Sequence, residues 1–125
     1  MPTLIACLST GKGTWAEVNR LLQANNWTKI FLITNKSGEE NFKTYPPSVS
    51  LVVLDTDNLS LSQLTEEIKK ALGNQISDFE IALNLASGSG KEHMALLEAV
   101  LELGLNFRLI TVTPNGQMDV LGLRG

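Results

Sequence analysis

The sequence predicts an α/β fold: one domain over residues 1–125, built on an open, doubly wound, mainly parallel sheet in three layers. Three observations predict it. Five short runs are apolar throughout, as expected of strands covered on both faces. Stretches with helical spacing of apolar residues separate most of them, as parallel connections require. Right-handed crossovers then favour the strand order 3-2-1-4-5, with a C-terminal hairpin strand added beyond it.

The first strand is Thr3 to Leu8, followed by the small-residue loop Ser9-Thr10-Gly11-Lys12-Gly13-Thr14. Trp15, Val18, Leu21 and Leu22 recur at helical spacing, so Trp15 to about Ala24 reads as an amphipathic helix that Asn25-Asn26 ends. Lys29 to Thr34 is the second strand, with Asn35 to Gly38 as its exit loop. Glu39 to Thr44 is expected to form a turn or two of helix before Pro46-Pro47. Leu51 to Leu54 is the third strand, closing in Asp55-Thr56-Asp57-Asn58.

Ser60 with Gln63 makes a capping box for the next helix, whose buried stripe is Leu61, Leu64, Ile68, Ala71 and Leu72. Lys69-Lys70 favour its negative end, and Gly73 stops it. Ile81 to Leu85 is the fourth strand; Ser87-Gly88-Ser89-Gly90-Lys91 leads from it into a run that is apolar almost to Leu103. Phe107 to Val112 is the fifth. Thr113 to Gly116 is a turn signal, and Gln117 to Leu121 is placed to pair back as a hairpin.

Composition narrows the function. With 43% hydrophobic residues in 125, the chain has enough apolar side chain for a real core. A net charge of −3 argues against a broad electrostatic footprint for duplex DNA. The single cysteine, Cys7, falls in a strand and reads as a small buried hydrophobe. Met1-Pro2-Thr3 offers no basic leader, and no apolar run reaches membrane-spanning length. A cytoplasmic protein with no membrane partner is expected.

In the order 3-2-1-4-5 the first and fourth strands are neighbours, and the chain reverses direction between them. Ligands of such sheets bind at this switch point, outside the carboxyl ends of the strands. The loops meeting there are Ser9–Thr14 and Ala86–Lys91, the two that carry both glycine and lysine. A strand, a glycine-rich turn and a helix start aim free N–H groups and a positive helix end at an anion. Lys91 reads as a ligand contact ahead of a solvated helix-start residue. Lys12 balances the same two readings. For Thr10, Thr14, Ser87 and Ser89, capping and turn bonds compete with ligand bonds.

Two nucleotide motifs are approached and missed. Gly11-Lys12-Gly13-Thr14-Trp15-Ala16 fits G-x-G-x-x-A, but Ser9-Thr10 lengthen the turn. The second strand ends in Thr34-Asn35-Lys36, where an acidic residue would hold an NAD ribose; Lys36 suits a 2′-phosphate instead. Gly88 to Lys91 fails as a P-loop, whose first glycine would fall on Leu85 and whose hydroxyl would fall on Glu92. His93 has no cysteine or second histidine beside it, so no metal site is expected, and a catalytic-base role is its weaker reading. Trp15 lies on the apolar stripe and reads as core. Glu98 and Glu102 read as a solvated stripe. They are the only polar residues from Met94 to Leu103, and a helix so apolar needs a second cover. A two-fold homodimer packed near this helix would supply it.

The strand ending Ala82-Leu83-Asn84-Leu85-Ala86, the turn Ser87-Gly88-Ser89-Gly90, Lys91 and the apolar helix from Met94 together resemble the CRISPR-associated Rossmann-fold (CARF) sensor domains. The likeness covers the whole chain as Rossmann-like architecture and one loop as motif. That family often has a threonine shortly before the turn, where this chain has Ala86 and Ser87. The resemblance implies a homodimer binding a cyclic oligoadenylate, such as cyclic tetra-adenylate, across the two-fold axis. Some members cut the ring without metal, as ring nucleases. It places phosphates and riboses on Ser9, Thr10, Gly11, Lys12, Gly13 and Thr14, and on Ser87, Gly88, Ser89, Gly90 and Lys91. Asn35 and Lys36 would meet the bases at the rim. Such domains are usually fused to an effector, and none is expected to fit after Gly125, so effector activity is expected to be absent or supplied by a separate chain.

For a chain that cuts, the resemblance implies attack of a ribose 2′-hydroxyl on the adjacent phosphorus, giving a 2′,3′-cyclic phosphate and a 5′-hydroxyl. Alignment and charge stabilisation would suffice, with backbone N–H groups, Lys91 and Lys12 as the catalytic candidates and no cofactor. His93 or a serine would be the source of proton transfer. Two rival readings are a binding module without turnover that signals to a partner, and a different Rossmann enzyme using NADP or an adenylate.

Overall fold

The computed structural model describes residues 3–8, 15–42, 45–77 and 80–121. Its elements run β1 (Thr3–Leu8), α1 (Trp15–Gln23), β2 (Lys29–Thr34), α2 (Lys36–Asn41), β3 (Val49–Val53), α3 (Leu61–Leu72), β4 (Ile81–Asn84), α4 (Gly90–Glu102), β5 (Phe107–Val112) and β6 (Met118–Val120). The strands form one sheet in the order β3-β2-β1-β4-β5-β6. All neighbours are parallel except β6, which pairs antiparallel with β5, Val112 facing Met118. The expected order holds, and the hairpin strand extends it at the β5 edge.

Both faces of the sheet are covered over its central strands β2, β1 and β4, which is why these show no polar alternation. Leu4, Ala6 and Leu8 of β1 point to the layer of Val18, Leu21 and Leu22 on α1. Ile5 and Cys7 point to the opposite layer, where Leu64, Ile68 and Leu72 of α3 meet Ala95, Leu96, Ala99 and Val100 of α4. Every residue of β1 is buried. With no side of the strand in water, polar alternation has no place in it.

Two elements lie elsewhere than expected: the third strand, awaited over Leu51–Leu54, spans Val49–Val53, and a short helix is displaced. The helix awaited over Glu39–Thr44 begins at Lys36 and ends at Asn41. Asn35 is its N-cap, its side-chain oxygen accepting from the Gly38 N–H at 2.9 Å. The residues read as an exit loop are therefore a cap and a first turn. Gly38 is buried there, and a Cβ at this position would collide with Thr34 Oγ1 beneath it.

Candidate functional site

β1 and β4 run side by side, Leu4 beside Ala82 and Ala6 beside Asn84. Their carboxyl ends therefore open at adjacent points of the sheet edge, with connections leaving in opposite directions. The loop Ser9–Thr14, with Lys12, lies outside the described residues. The other half of the expected site, Ala86 to Lys91, is described in full.

That turn is built around Gly88, at φ +104, a left-handed conformation that glycine alone adopts without strain. A Cβ on Gly88 would stand 2.7 Å from Glu92 Oε1, 3.0 Å from Cys7 Cβ and 3.2 Å from His93 Nε2. The turn is thus pressed onto the end of β1 on one side and the first turn of α4 on the other. Ser89 caps α4, its hydroxyl accepting from the Glu92 N–H at 3.3 Å while Glu92 Oε1 accepts from the Ser89 N–H at 3.0 Å. Capping therefore occupies Ser89, as the competing reading of that residue proposed.

The cap decides which donors remain. Of the N-terminal amides of α4, that of Glu92 is taken by Ser89; those of Gly90 and Lys91 precede any intrahelical acceptor. These two N–H groups, with Lys91 Nζ, are what the helix start has to offer an anion. Among the described residues the Lys91 ammonium has no hydrogen-bond or ion-pair partner, and its side chain is half-buried. Against this stands Glu92, a buried carboxylate at the same turn. Its charge, after burial itself, helps push the Cys7 thiol far above its ordinary value of 9.0. Cys7 is accordingly held as a neutral thiol with no nucleophilic character.

His93 Nε2 sits 2.8 Å from the Ser87 carbonyl oxygen. A carbonyl only accepts, so Nε2 carries a proton and donates it, leaving Nδ1 as the nitrogen able to accept. The imidazole thereby ties the turn to its own helix. Ser87 itself is buried.

Asn84, the last residue of β4, is fully enclosed and doubly used. Its Nδ2 donates to the Ile110 carbonyl at 2.9 Å, and its Oδ1 accepts from the Ala86 N–H at 3.1 Å. The β4–β5 ladder ends one step earlier, at Leu83 and Leu109. The amide side chain takes over where the backbone pairing stops, and it sets the direction in which the turn leaves. Glu92 and Asn84 are the two site-building residues that sequence reasoning missed. Ser89-x-x-Glu92 repeats the capping-box spacing seen at Ser60, so the first was readable. The Asn84–Ile110 bond joins residues far apart in the chain and left no local sign.

Asn35 and Lys36 also stand at the carboxyl edge, one strand further out. The acceptor oxygen of Asn35 is spent on its cap, and Lys36 is exposed in the first turn of α2. Together with Asp55 and Asp57 from the loop after β3, they line a cavity of about 490 Å³. Among the described residues no group of three or more His, Cys, Asp or Glu side chains is placed to hold a metal ion. Nor is any described helix long and apolar enough to cross a membrane. No protein-family model matches the chain, and no curated protein matches it.

Proposed function

We propose that the chain is a CARF-type domain that binds a cyclic oligoadenylate, cyclic tetra-adenylate in the first instance, at the carboxyl edge between β1 and β4 of a symmetric homodimer. The observation that carries the reading is the β4–α4 turn: a glycine-dependent bend with two helix-start amides and a Lys91 ammonium that have no partner among the described residues, at the point where the winding reverses. In the proposal, Ser87 to Lys91 and the loop Ser9–Thr14 hold phosphates and riboses, and Asn35 and Lys36 meet bases at the rim. Turnover, where it occurs, uses the ring's own 2′-hydroxyl, with Lys91 and Lys12 stabilising charge on the attacked phosphorus.

The dimer has its own support. α3 covers one flank of α4, so part of the second cover that this apolar helix needs comes from its own chain. Its outward stripe stays open: Met94, at the rim of the groove with α3, is 58% exposed and Leu101 is 61% exposed, and Leu109 of β5 is exposed as well. No described helix follows β5 to close this face. A second copy of α4 would.

Incubation with cyclic tetra-adenylate in the presence of a chelator tests the whole reading. Binding with release of a linear product ending in a 2′,3′-cyclic phosphate supports a ring nuclease. Binding of the intact ring supports a sensor that signals to a separate effector chain. No binding of the ring, with binding of NADP, overturns the proposal in favour of another nucleotide enzyme. Lys91→Ala is expected to weaken ring binding about tenfold or more; unchanged affinity removes Lys91 from the site.

A further inference from the structure

The outer edge of the sheet at β3 points to a second binding surface, unrelated to the nucleotide reading. Ile30 N–H donates to the Ser48 carbonyl at 3.1 Å, and Leu54 N–H donates to the Thr34 carbonyl at 2.8 Å. Along a parallel strand, the N–H and C=O of one residue face the same neighbour and those of the next face away. Ser48, Ser50, Val52 and Leu54 therefore turn their main chain to β2, while Val49, Leu51 and Val53 turn theirs outward. The Val49 N–H is taken by the Pro46 carbonyl at 3.0 Å. Among the described residues the N–H groups of Leu51 and Val53 and the carbonyls of Val49, Leu51 and Val53 have no partner, and β3 ends the strand order, with no described strand beyond it.

Natural edge strands are usually blunted by a lysine, a proline, a bulge or extreme shortness. The sequence of β3, Val-Ser-Leu-Val-Val, has none of these devices. Val53 is exposed, and the edge runs directly into a cavity of about 550 Å³. Val53, Leu54 and Leu59 give that cavity apolar walls, and Asp55, Glu66 and Glu67 give it carboxylates. The cavity of Asn35 and Lys36 adjoins it through Val53, Leu54 and Asp55. Across the two cavities, four carboxylates face the single ammonium of Lys36. Glu66 and Glu67 hold only long 3.4 Å pairs with Lys69 and Lys70, and Lys69 lies closer to Glu102, at 2.8 Å.

We propose that β3 is a docking edge for an extended segment of a partner protein that alternates β-branched apolar residues with arginine or lysine. The segment adds a strand at Leu51 and Val53 through main-chain hydrogen bonds. Its basic side chains then reach Asp55, Glu66 and Glu67. Main-chain pairing supplies affinity, and the charged cavity selects the side chains.

The probe is an acetylated, amidated peptide of alternating valine and arginine, titrated into the intact protein, beside the same peptide N-methylated on alternate residues. The two carry identical charge, but the second lacks half its donors. The unmodified peptide is expected to bind, more weakly at high salt, and the N-methylated one about tenfold more weakly still. Val53→Pro, which removes one outward N–H and no ladder bond, is expected to cost the unmodified peptide a similar factor. Equal affinity of the two peptides for the wild-type protein overturns the proposal, whether or not the proline variant folds. Conversion of a dimer to a monomer by Val53→Pro also overturns it, because the edge would then belong to a second copy.

Discussion

Two strand-to-helix junctions of this protein use the same local device and come to different ends. At the start of α3, Ser60 and Gln63 exchange hydrogen bonds of 3.2 and 2.8 Å. At the start of α4, Ser89 and Glu92 do the same at 3.3 and 3.0 Å. The first cap is neutral and lies in water. The second is made with a carboxylate 7% exposed, under a left-handed glycine wedged against β1. A capping box alone therefore says only where a helix starts. What makes the α4 junction a candidate site is its position at the reversal of the winding, where the turn must fold back against the neighbouring strand. The contrast is sharpest at Gly88.

Gly88→Ala is expected to show a large effect for a single methyl. It forces a side chain into the left-handed region and into contact with Glu92, Cys7 and His93. The cost expected is about 2–4 kcal/mol, combining backbone strain with overpacking. Gly90→Ala, two residues on, meets nothing within 4 Å and occupies the first helical position. There the same methyl is expected to be neutral or to stabilise by up to about 1 kcal/mol. Urea unfolding of both variants reads the difference. Equal effects would mean the turn yields freely and is no rigid cradle.

Much of this architecture was legible because burial on both faces leaves a simple trace. β1, β2 and β4 are apolar runs, and α1 and α3 show a stripe; each needs only local pattern to be found. The Ser60 cap was readable for the same reason. α2 starts earlier than its sequence suggests because Asn35, which reads as loop, caps the turn that contains Gly38. Asn84 was opaque for a deeper reason. A polar residue closing an apolar strand declares no partner, and the Ile110 carbonyl that it meets belongs to a strand whose divergence from β4 is a tertiary event. Glu92 carries no sign of its burial, because nothing in its sequence neighbourhood reveals that it packs under Gly88 beside Cys7.

The buried end of β1 makes a second prediction, smaller and confined to alkaline pH. In the unfolded chain Cys7 ionises near 9.0; in the folded protein burial, then the Glu92 charge, keeps it neutral well beyond that. As pH rises past 9.0 the unfolded state sheds a proton that the folded state retains, so stability falls. The expected slope is about 1.4 kcal/mol per pH unit. Below 9.0 the thiol is neutral in both states and contributes no slope. Cys7→Ala is expected to remove this component while leaving the rest of the alkaline profile in place. Matched urea midpoints above and below 9.0 for the two proteins give the test. Parallel profiles would show that the thiol ionises equally in both states, and that the α4 junction is open to water.

The caps themselves give the smallest and most discriminating comparison. Ser60→Ala removes one acceptor from a solvated helix start, where water replaces it, and is expected to cost about 0.5–1 kcal/mol. Ser89→Ala removes the same acceptor where the Glu92 N–H lies under the turn, and the expected cost is about 1–2 kcal/mol. The larger figure follows from the difference in burial, since the two boxes have nearly the same lengths. Ser89→Asp separates packing from charge, because aspartate is as good a cap as serine but sets a second carboxylate beside Glu92. An exposed box would accept that change without loss, as Ser60→Asp is expected to do. At the α4 junction it is expected to destabilise, because two carboxylates then repel at short range. Thermal melts of the two aspartate variants beside wild type read this directly. Should Ser89→Asp prove as harmless as Ser60→Asp, Glu92 is solvated in practice, and the two junctions differ in position alone.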